Sequence, residues 1–341
     1  MNFDDIIGQS VVVDSLRRSI AEDKVANGYI FHGPKGCGKK LTAFIFAAAL
    51  NCKADDRDKT PCEACSSCSK MKSGNHPNLD IVRPTGASIK IKQIRELISD
   101  VAKKPFENGY KIVILEDAEK MTQDAQDAFL KTLEEPPERT VFILLVENQY
   151  SLLPTIVSRC QVFPIKPVGR AEVEYFLKAH CQKPEDLIKL ASACSNGIIG
   201  RAVQILQDEG YLKKRSGFVQ IADLMLRGSV REASGISAET VDTRQDAEEL
   251  LSFLLGWLRD IAVYRELGED RAAELLINLD KLENIRYHSN FLTEAKLNSI
   301  MDIMKKTKSY INHNVSIKNS IDGMLLNISE VCNGKNNWSK V

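Results

Sequence analysis

A chain of 341 residues exceeds what one ordinary hydrophobic core holds, and at about 150 residues per domain it predicts two or three domains. With 46 basic residues against 46 acidic ones it has no net field to draw it onto nucleic acid or an anionic membrane, so any DNA contact is local or shared with partners. The start, MNFDDIIGQS, lacks the basic and apolar stretches of a secretory signal, and no apolar run nears the roughly 20 residues that span a bilayer, which predicts a cytosolic protein.

From the N-terminus, apolar spacing over Val11 to Glu22 predicts a helix, and the run Tyr29 to His32 a buried strand. The strand leads into GPKGCGKK, Gly33 to Lys40, and a second apolar helix runs from Leu41 to Leu50. Strand, glycine-rich loop and helix in that order fit a phosphate-binding loop. Gly33, Gly36 and Gly38 let backbone N–H groups curl round phosphate oxygens, Lys39 reaches the terminal phosphates, and the anion meets the positive end of the helix. A glycine turn with an exposed lysine is the alternative. The residue after the lysine is ordinarily Ser or Thr, whose oxygen ligates magnesium, whereas Lys40 has no lone pair while protonated and cannot do so. Thr42 faces elsewhere on a helix and is a poor substitute. The sequence leaves open whether Lys40 stands near the phosphates as a fixed cation or points to solvent.

The next segment, CKADDRDKTPCEACSSC, holds Cys52, Cys62, Cys65 and Cys68. Disulfides do not suit a reducing cytosol. Four thiolates suit tetrahedral zinc, and the two-residue gaps let successive sulfurs fold back onto one ion. Free thiols, a redox pair or an iron–sulfur cluster are the alternatives. A shell closed by four sulfurs leaves no open position, so the zinc is expected to be structural and His76, in GNHPN, a turn residue. Cys37, Cys160, Cys181, Cys194 and Cys332 are scattered, as small buried apolar groups are.

Strands are then predicted at Leu79 to Val82, Lys111 to Glu116, Val141 to Val146 and Val162 to Ile165, with helices at Ile91 to Lys103 and Thr122 to Leu133. Strand alternating with helix implies a parallel five-stranded sheet with helices on both faces. The run KIVILEDAEKM ends its strand in Glu116 and Asp117, where phosphate-loop NTPases keep one carboxylate for magnesium and another for water. The usual order is Asp then Glu. Reversing it lengthens the metal-side chain and shortens the base, and with Lys40 in the same site this predicts negligible hydrolysis. A solvated acidic strand end is the alternative.

After Pro164 and Pro167 no strand signal persists. Apolar residues recur at helical spacing, as in Val173, Phe176 and Leu177, which predicts a small helical domain at about 167–208 and a larger one after it. The stretch Gly228 to Ala238, GSVREASGISA, is expected as a loop between helices, and long helices are expected at Ala247 to Leu267 and Leu292 to Tyr310 with bundle-core stripes.

Together, FDDIIGQ, GPKGCGKK, the four cysteines, SGNHPNLDIV, KTLEEPP and LLPTIVSRCQ resemble the clamp-loader subunits of bacterial DNA polymerase III, which are AAA+ ATPases. The resemblance covers residues 3–205; beyond them only the helical character and NHNVSIKNSIDGMLLNI fit. It implies an α/β AAA+ module over 1–166 with a zinc insertion at about 52–68, a small helical lid over 167–208 and an all-α collar over 209–341. It implies partners too: gamma/tau and delta subunits, the sliding clamp and primer-template DNA, in a hetero-oligomer away from membranes. Lys40 and Glu116-Asp117 depart from the hydrolysing gamma/tau pattern and match the delta prime type, whose members commonly have degenerate nucleotide sites; an active gamma/tau-type ATPase is the rival. The resemblance places Arg159, in Ser-Arg-Cys, as a finger projecting into a neighbour's nucleotide site, Asn148 with Glu147 at the first sensor, and Arg201 at the second. Weak binding of ATP or ADP is expected, without hydrolysis.

Overall fold

The computed structural model describes residues 2–54, 56, 60–102, 109–272, 275–313 and 315–333; Lys103, the end of the expected helix from Ile91, and Asn314 lie outside them. Two compact units are present, Met1–Ile188 with Ser195–Val203 and Lys189–Cys194 with Gln204–Val341.

The first unit is built on five strands: β1 (Gly28–His32), β2 (Leu79–Val82), β3 (Lys111–Leu115), β4 (Thr140–Val146) and β5 (Gln161–Pro164). All pair in parallel, in the order β2-β3-β4-β1-β5. The apolar runs read as strands because both faces are covered. Tyr29 and Phe31 of β1, Ile112 and Ile114 of β3, and Val141, Ile143 and Leu145 of β4 pack on one side with α1 (Ser10–Ala21) and α2 (Lys39–Leu50). The alternate residues Ile30, Val113, Leu115, Phe142 and Leu144 pack on the other with α4 (Ile91–Val101) and α5 (Gln123–Glu134), α3 being the short helix Ser66–Lys72. Each such fully buried side chain contributes about 1.5–3 kcal/mol.

Strand order fixes where a ligand belongs. The chain leaves β1 toward the β2 edge and leaves β4 toward β5, so the order reverses between these two neighbours. The crevice at their carboxyl ends is the place an open parallel sheet offers a ligand. After β4 come the short α6 (Pro154–Val157) and, beyond β5, α7 (Arg170–His180), α8 (Glu185–Cys194) and α9 (Ile199–Gln207).

The second unit is helical among its described residues: α10 (Tyr211–Arg227), α11 (Val230–Thr240), α12 (Arg244–Ala272, broken at Gly268), α13 (Leu282–Ser289), α14 (Glu294–Asn312) and α15 (Ile317–Asn333). Trp257 is fully buried at its centre. The indole Nε1–H donates to Nδ1 of the fully buried His288 at 3.2 Å, and Nε2 of that ring meets Asp223 Oδ1 at 3.1 Å. Since an indole only donates, Nδ1 is the acceptor and His288 is neutral with its proton on Nε2.

The loop expected at Gly228 to Ala238 is wrong. Gly228 ends α10 in a left-handed turn, φ 87°, and α11 begins two residues later. The small residues that suggested a loop are what let α11 press close: Ala233 and Ser237 are buried, and Ser234 Oγ donates to Asp322 Oδ1 of α15 at 2.7 Å. Tertiary packing outweighs the weak helix propensity of Gly and Ser here. Among the described residues no helix is long and apolar enough to cross a membrane.

Candidate nucleotide and metal sites

The glycine-rich loop leaves β1 at the order reversal. Gly33 N–H donates to Val146 O of β4 at 3.2 Å, and Gly38 is the N-cap of α2. Lys39 Nζ donates to Gly33 O at 2.5 Å and Pro34 O at 3.0 Å, so its ammonium lies over the loop's own carbonyls. Thr42 is fully buried, and its hydroxyl donates to Gly38 O at 3.1 Å. On the opposite side Gly200 N–H, in the first turn of α9, donates to Gly36 O at 3.0 Å. A Cβ on Gly200 would lie 2.8 Å from that oxygen and 2.9 Å from Gly36 Cα, so only glycine permits the approach. Arg201 follows directly, half-buried, with its backbone nitrogen beside Gly36.

Lys40 does not point idly to solvent. Its Nζ is 2.9 Å from Glu116 Oε1 at the end of β3. The same carboxylate accepts from Arg83 Nη2 on Oε1 and from Arg83 Nε on Oε2, both at 3.2 Å. Burial alone would raise the Glu116 pKa, but the hydrogen bonds and charges of Arg83 and Lys40 outweigh it and hold the carboxyl below its ordinary value. Arg83 went unnoticed in the sequence. Its signal is register: Val82 pairs with Leu115, so the next residues, Arg83 and Glu116, leave the sheet side by side.

Other candidate residues stand apart from this cluster. Asp117 takes a left-handed conformation, φ 51°, and its carboxylate is held by Lys120 at 2.8 Å. Asn148 is exposed, and its side chain accepts Tyr150 N–H at 3.0 Å, capping the turn after β4. Glu147 N–H donates to Glu119 Oε1 at 3.4 Å; burial raises the Glu119 pKa, and its Oε2 is without a hydrogen-bond partner among the described residues.

Arg159 lies at the far end of the sheet. It precedes β5, whose Gln161 pairs with Tyr29, and its carbonyl neighbours Gly28, the first residue of β1. The five residues of β1, at about 3.3 Å each, separate it from the loop that follows His32. Its guanidinium donates from Nη2 to Glu134 Oε1 at 2.6 Å and from Nη1 to Thr155 O at 3.0 Å. Neighbouring Cys160 is a packing group, its thiol pushed up to about 12 by burial.

The four cysteines converge. Cys52 follows α2, Cys65 is the N-cap of α3, and the sulfurs of Cys52, Cys62, Cys65 and Cys68 lie within 4.8 Å of one another. Backbone N–H groups aim at them: Cys62 N–H at Cys52 Sγ at 3.3 Å, Cys65 N–H at Cys62 Sγ and Cys68 N–H at Cys65 Sγ, both at 3.4 Å. Such donors favour thiolates. Burial raises the Cys65 pKa, but hydrogen bonds from Cys68, Lys53 and Cys62 outweigh this and bring it to about 6, whereas burial leaves the thiols of Cys52 and Cys68 raised. Four sulfurs at this spacing fit one tetrahedral ion with bonds of about 2.3 Å. His76 is committed elsewhere: Asn78 N–H donates to Nδ1 at 3.2 Å, leaving Nε2–H for Ser67 Oγ at 3.0 Å, which ties α3 to the start of β2.

Residues 8–169 match the family described as DNA polymerase III, delta subunit. The chain is 28% identical to DNA polymerase III subunit delta' of Bacillus subtilis, over 94% of this chain and 96% of that protein. It is 30% identical to subunit delta' of Pseudomonas aeruginosa, over 84% of this chain and 86% of that one. Subunit tau/gamma of Haemophilus influenzae is 32% identical, over 58% of this chain and 29% of its own length.

Proposed function

The chain belongs to the family of DNA polymerase III delta prime subunits, and on that premise we propose that it serves in the clamp loader as a member that hydrolyses little or no ATP itself and supplies Arg159 to a neighbouring ATPase. Residues 1–166 form the AAA+ module, 167–208 its lid, and 209–341 the collar through which it joins gamma/tau and delta subunits. The assembly opens the sliding clamp and places it on primer-template DNA.

The observation that carries this reading is the placement of Arg159. It stands at the opposite end of β1 from the chain's own phosphate loop, so a role at a phosphate is a role at another subunit's phosphate. A guanidinium stays charged at physiological pH and offers paired donors to phosphate oxygens. Glu134 holds it at the surface, ready to exchange one anion for another. Its own site is ill suited to hydrolysis: the metal-binding hydroxyl is replaced by Lys40, and Glu116 is occupied by two cations. Zinc, where bound, would be held by Cys52, Cys62, Cys65 and Cys68 and would cross-link the segment between α2 and α3.

Mixing the full chain with gamma/tau and delta and measuring the native mass tests the reading. A stoichiometric hetero-oligomer is expected; a chain that stays apart from both contradicts it. Magnesium-dependent turnover of the isolated chain at about one per second, abolished by Lys39→Ala, would favour the gamma/tau-type alternative.

A further inference from the structure

We propose that Lys40 and Arg83 take the place of the divalent cation at this phosphate loop, so that the chain binds a nucleoside di- or triphosphate without magnesium. The inference rests on taking Gly33 to Lys40 as a nucleotide site, as the family reading does, but asks which charges the site uses.

A magnesium-dependent loop needs a hydroxyl oxygen after its lysine and a carboxylate free to approach the ion. Neither is present. Lys40 fills the hydroxyl's position with an ammonium, which donates and cannot ligate. Both oxygens of Glu116 are taken, Oε1 by Lys40 and Arg83 and Oε2 by Arg83. Asp117 is turned away onto Lys120. The donor set therefore does not fit the ion, and a divalent cation approaching Glu116 would meet two positive charges already in contact with it.

Charge shows what replaces the ion. Magnesium against one carboxylate leaves a net single positive charge facing the phosphates. Lys40 and Arg83 against Glu116 leave the same. Donors remain to deliver it: an ammonium has three N–H bonds and a guanidinium five, and Glu116 engages only part of them. Both side chains are over half exposed, Lys40 at 52% and Arg83 at 59%, whereas Glu116 is at 20%. The carboxylate is the buried anchor and the two cations are its solvent-facing surface. Lys40 follows Lys39 in the first turn of α2, directly after the glycine-rich loop, and Arg83 is joined to it through the shared Glu116 carboxylate.

The test is ATP and ADP binding to the full chain by calorimetry, in magnesium and in EDTA. The native chain is expected to bind with affinities equal within about twofold in the two buffers. The double variant Lys40→Thr/Arg83→Gln, checked for folding by thermal unfolding, restores the hydroxyl and frees Glu116; its affinity is expected to be about tenfold or more higher with magnesium than with EDTA. Tenfold weakening of the native chain in EDTA overturns the proposal. So does a folded double variant that remains indifferent to magnesium. Absence of binding in both buffers also overturns it, while association with gamma/tau and delta, measured separately, leaves the clamp-loader reading standing.

Discussion

Arg159 and Glu134 are joined by a 2.6 Å ion pair between the entry to β5 and the last turn of α5. Both side chains are well exposed, 37% and 48%, and exposed pairs contribute at most about 1 kcal/mol. The pair therefore orients the guanidinium without binding it firmly. Replacing Glu134 by Gln is expected to leave the stability of the isolated chain within about 1 kcal/mol of native, measured by urea unfolding, and to leave Arg159-dependent turnover of the assembled loader intact. Loss of turnover on a par with loss of Arg159 itself would show that Glu134 has a role beyond holding the arginine.

Stoichiometric zinc is expected in the purified, reduced protein, with Cys65→Ser losing most of it. The segment around α3 should then become protease-sensitive while the sheet stays folded, because the sulfurs lie outside the two sheet-face cores. Metal analysis finding no zinc in the native chain would remove the site.

Gly200→Ala brings a methyl group within 2.9 Å of backbone atoms of Gly36, which cannot rotate aside. Relief requires α9 and the glycine-rich loop to separate, breaking the Gly200 N–H to Gly36 O bond. A loss of about 1–3 kcal/mol in unfolding free energy is expected, with altered nucleotide affinity. An unchanged protein would mean that the contact is looser than 3.0 Å.

His288 makes the helical unit sensitive to acid. Burial lowers its pKa below the ordinary 6.5, against the pull of Asp223 and with help from Arg227. The unfolded chain binds the proton more readily, so the stabilisation is fully present above 6.5 and is lost as pH falls through the lower folded value. Protonation would also set a second N–H against the Trp257 indole. His288→Gln, which can still accept from Trp257 and donate to Asp223, should start less stable but lose less stability between neutral and mildly acid pH. His32 of β1, whose pKa burial and Lys39 also lower, adds a slope of the same sign in the sheet unit, so the slope is to be read on the helical unit's own unfolding. An unchanged slope in a folded variant would show that His288 does not titrate this way.

The sheet was legible in the sequence for a physical reason. Alternate residues of β1, β3 and β4 enter two different apolar cores, so each strand reads as an uninterrupted apolar run between turn signals. The cysteine cluster was legible because short gaps bring sulfurs together with little help from the rest of the fold. By contrast α11 was hidden, since its helix depends on Ala233 and Ser237 packing against distant helices. Partners supplied by tertiary structure were hidden too. Arg83 reaches Glu116 through the β2–β3 register, and Glu134 reaches Arg159 from another helix; neither pairing has a spacing that a linear reading can find.

ATP turnover by the loader reconstituted with Arg159→Ala, in the presence of clamp and primed DNA, is the most direct test of the function proposed for this chain. Arginines supplied across an interface accelerate phosphoryl transfer by roughly 10³–10⁵, so hydrolysis at the adjoining site should fall by about that much while the ring still assembles. A ring that assembles and turns over ATP at the native rate, with every site active, would contradict it.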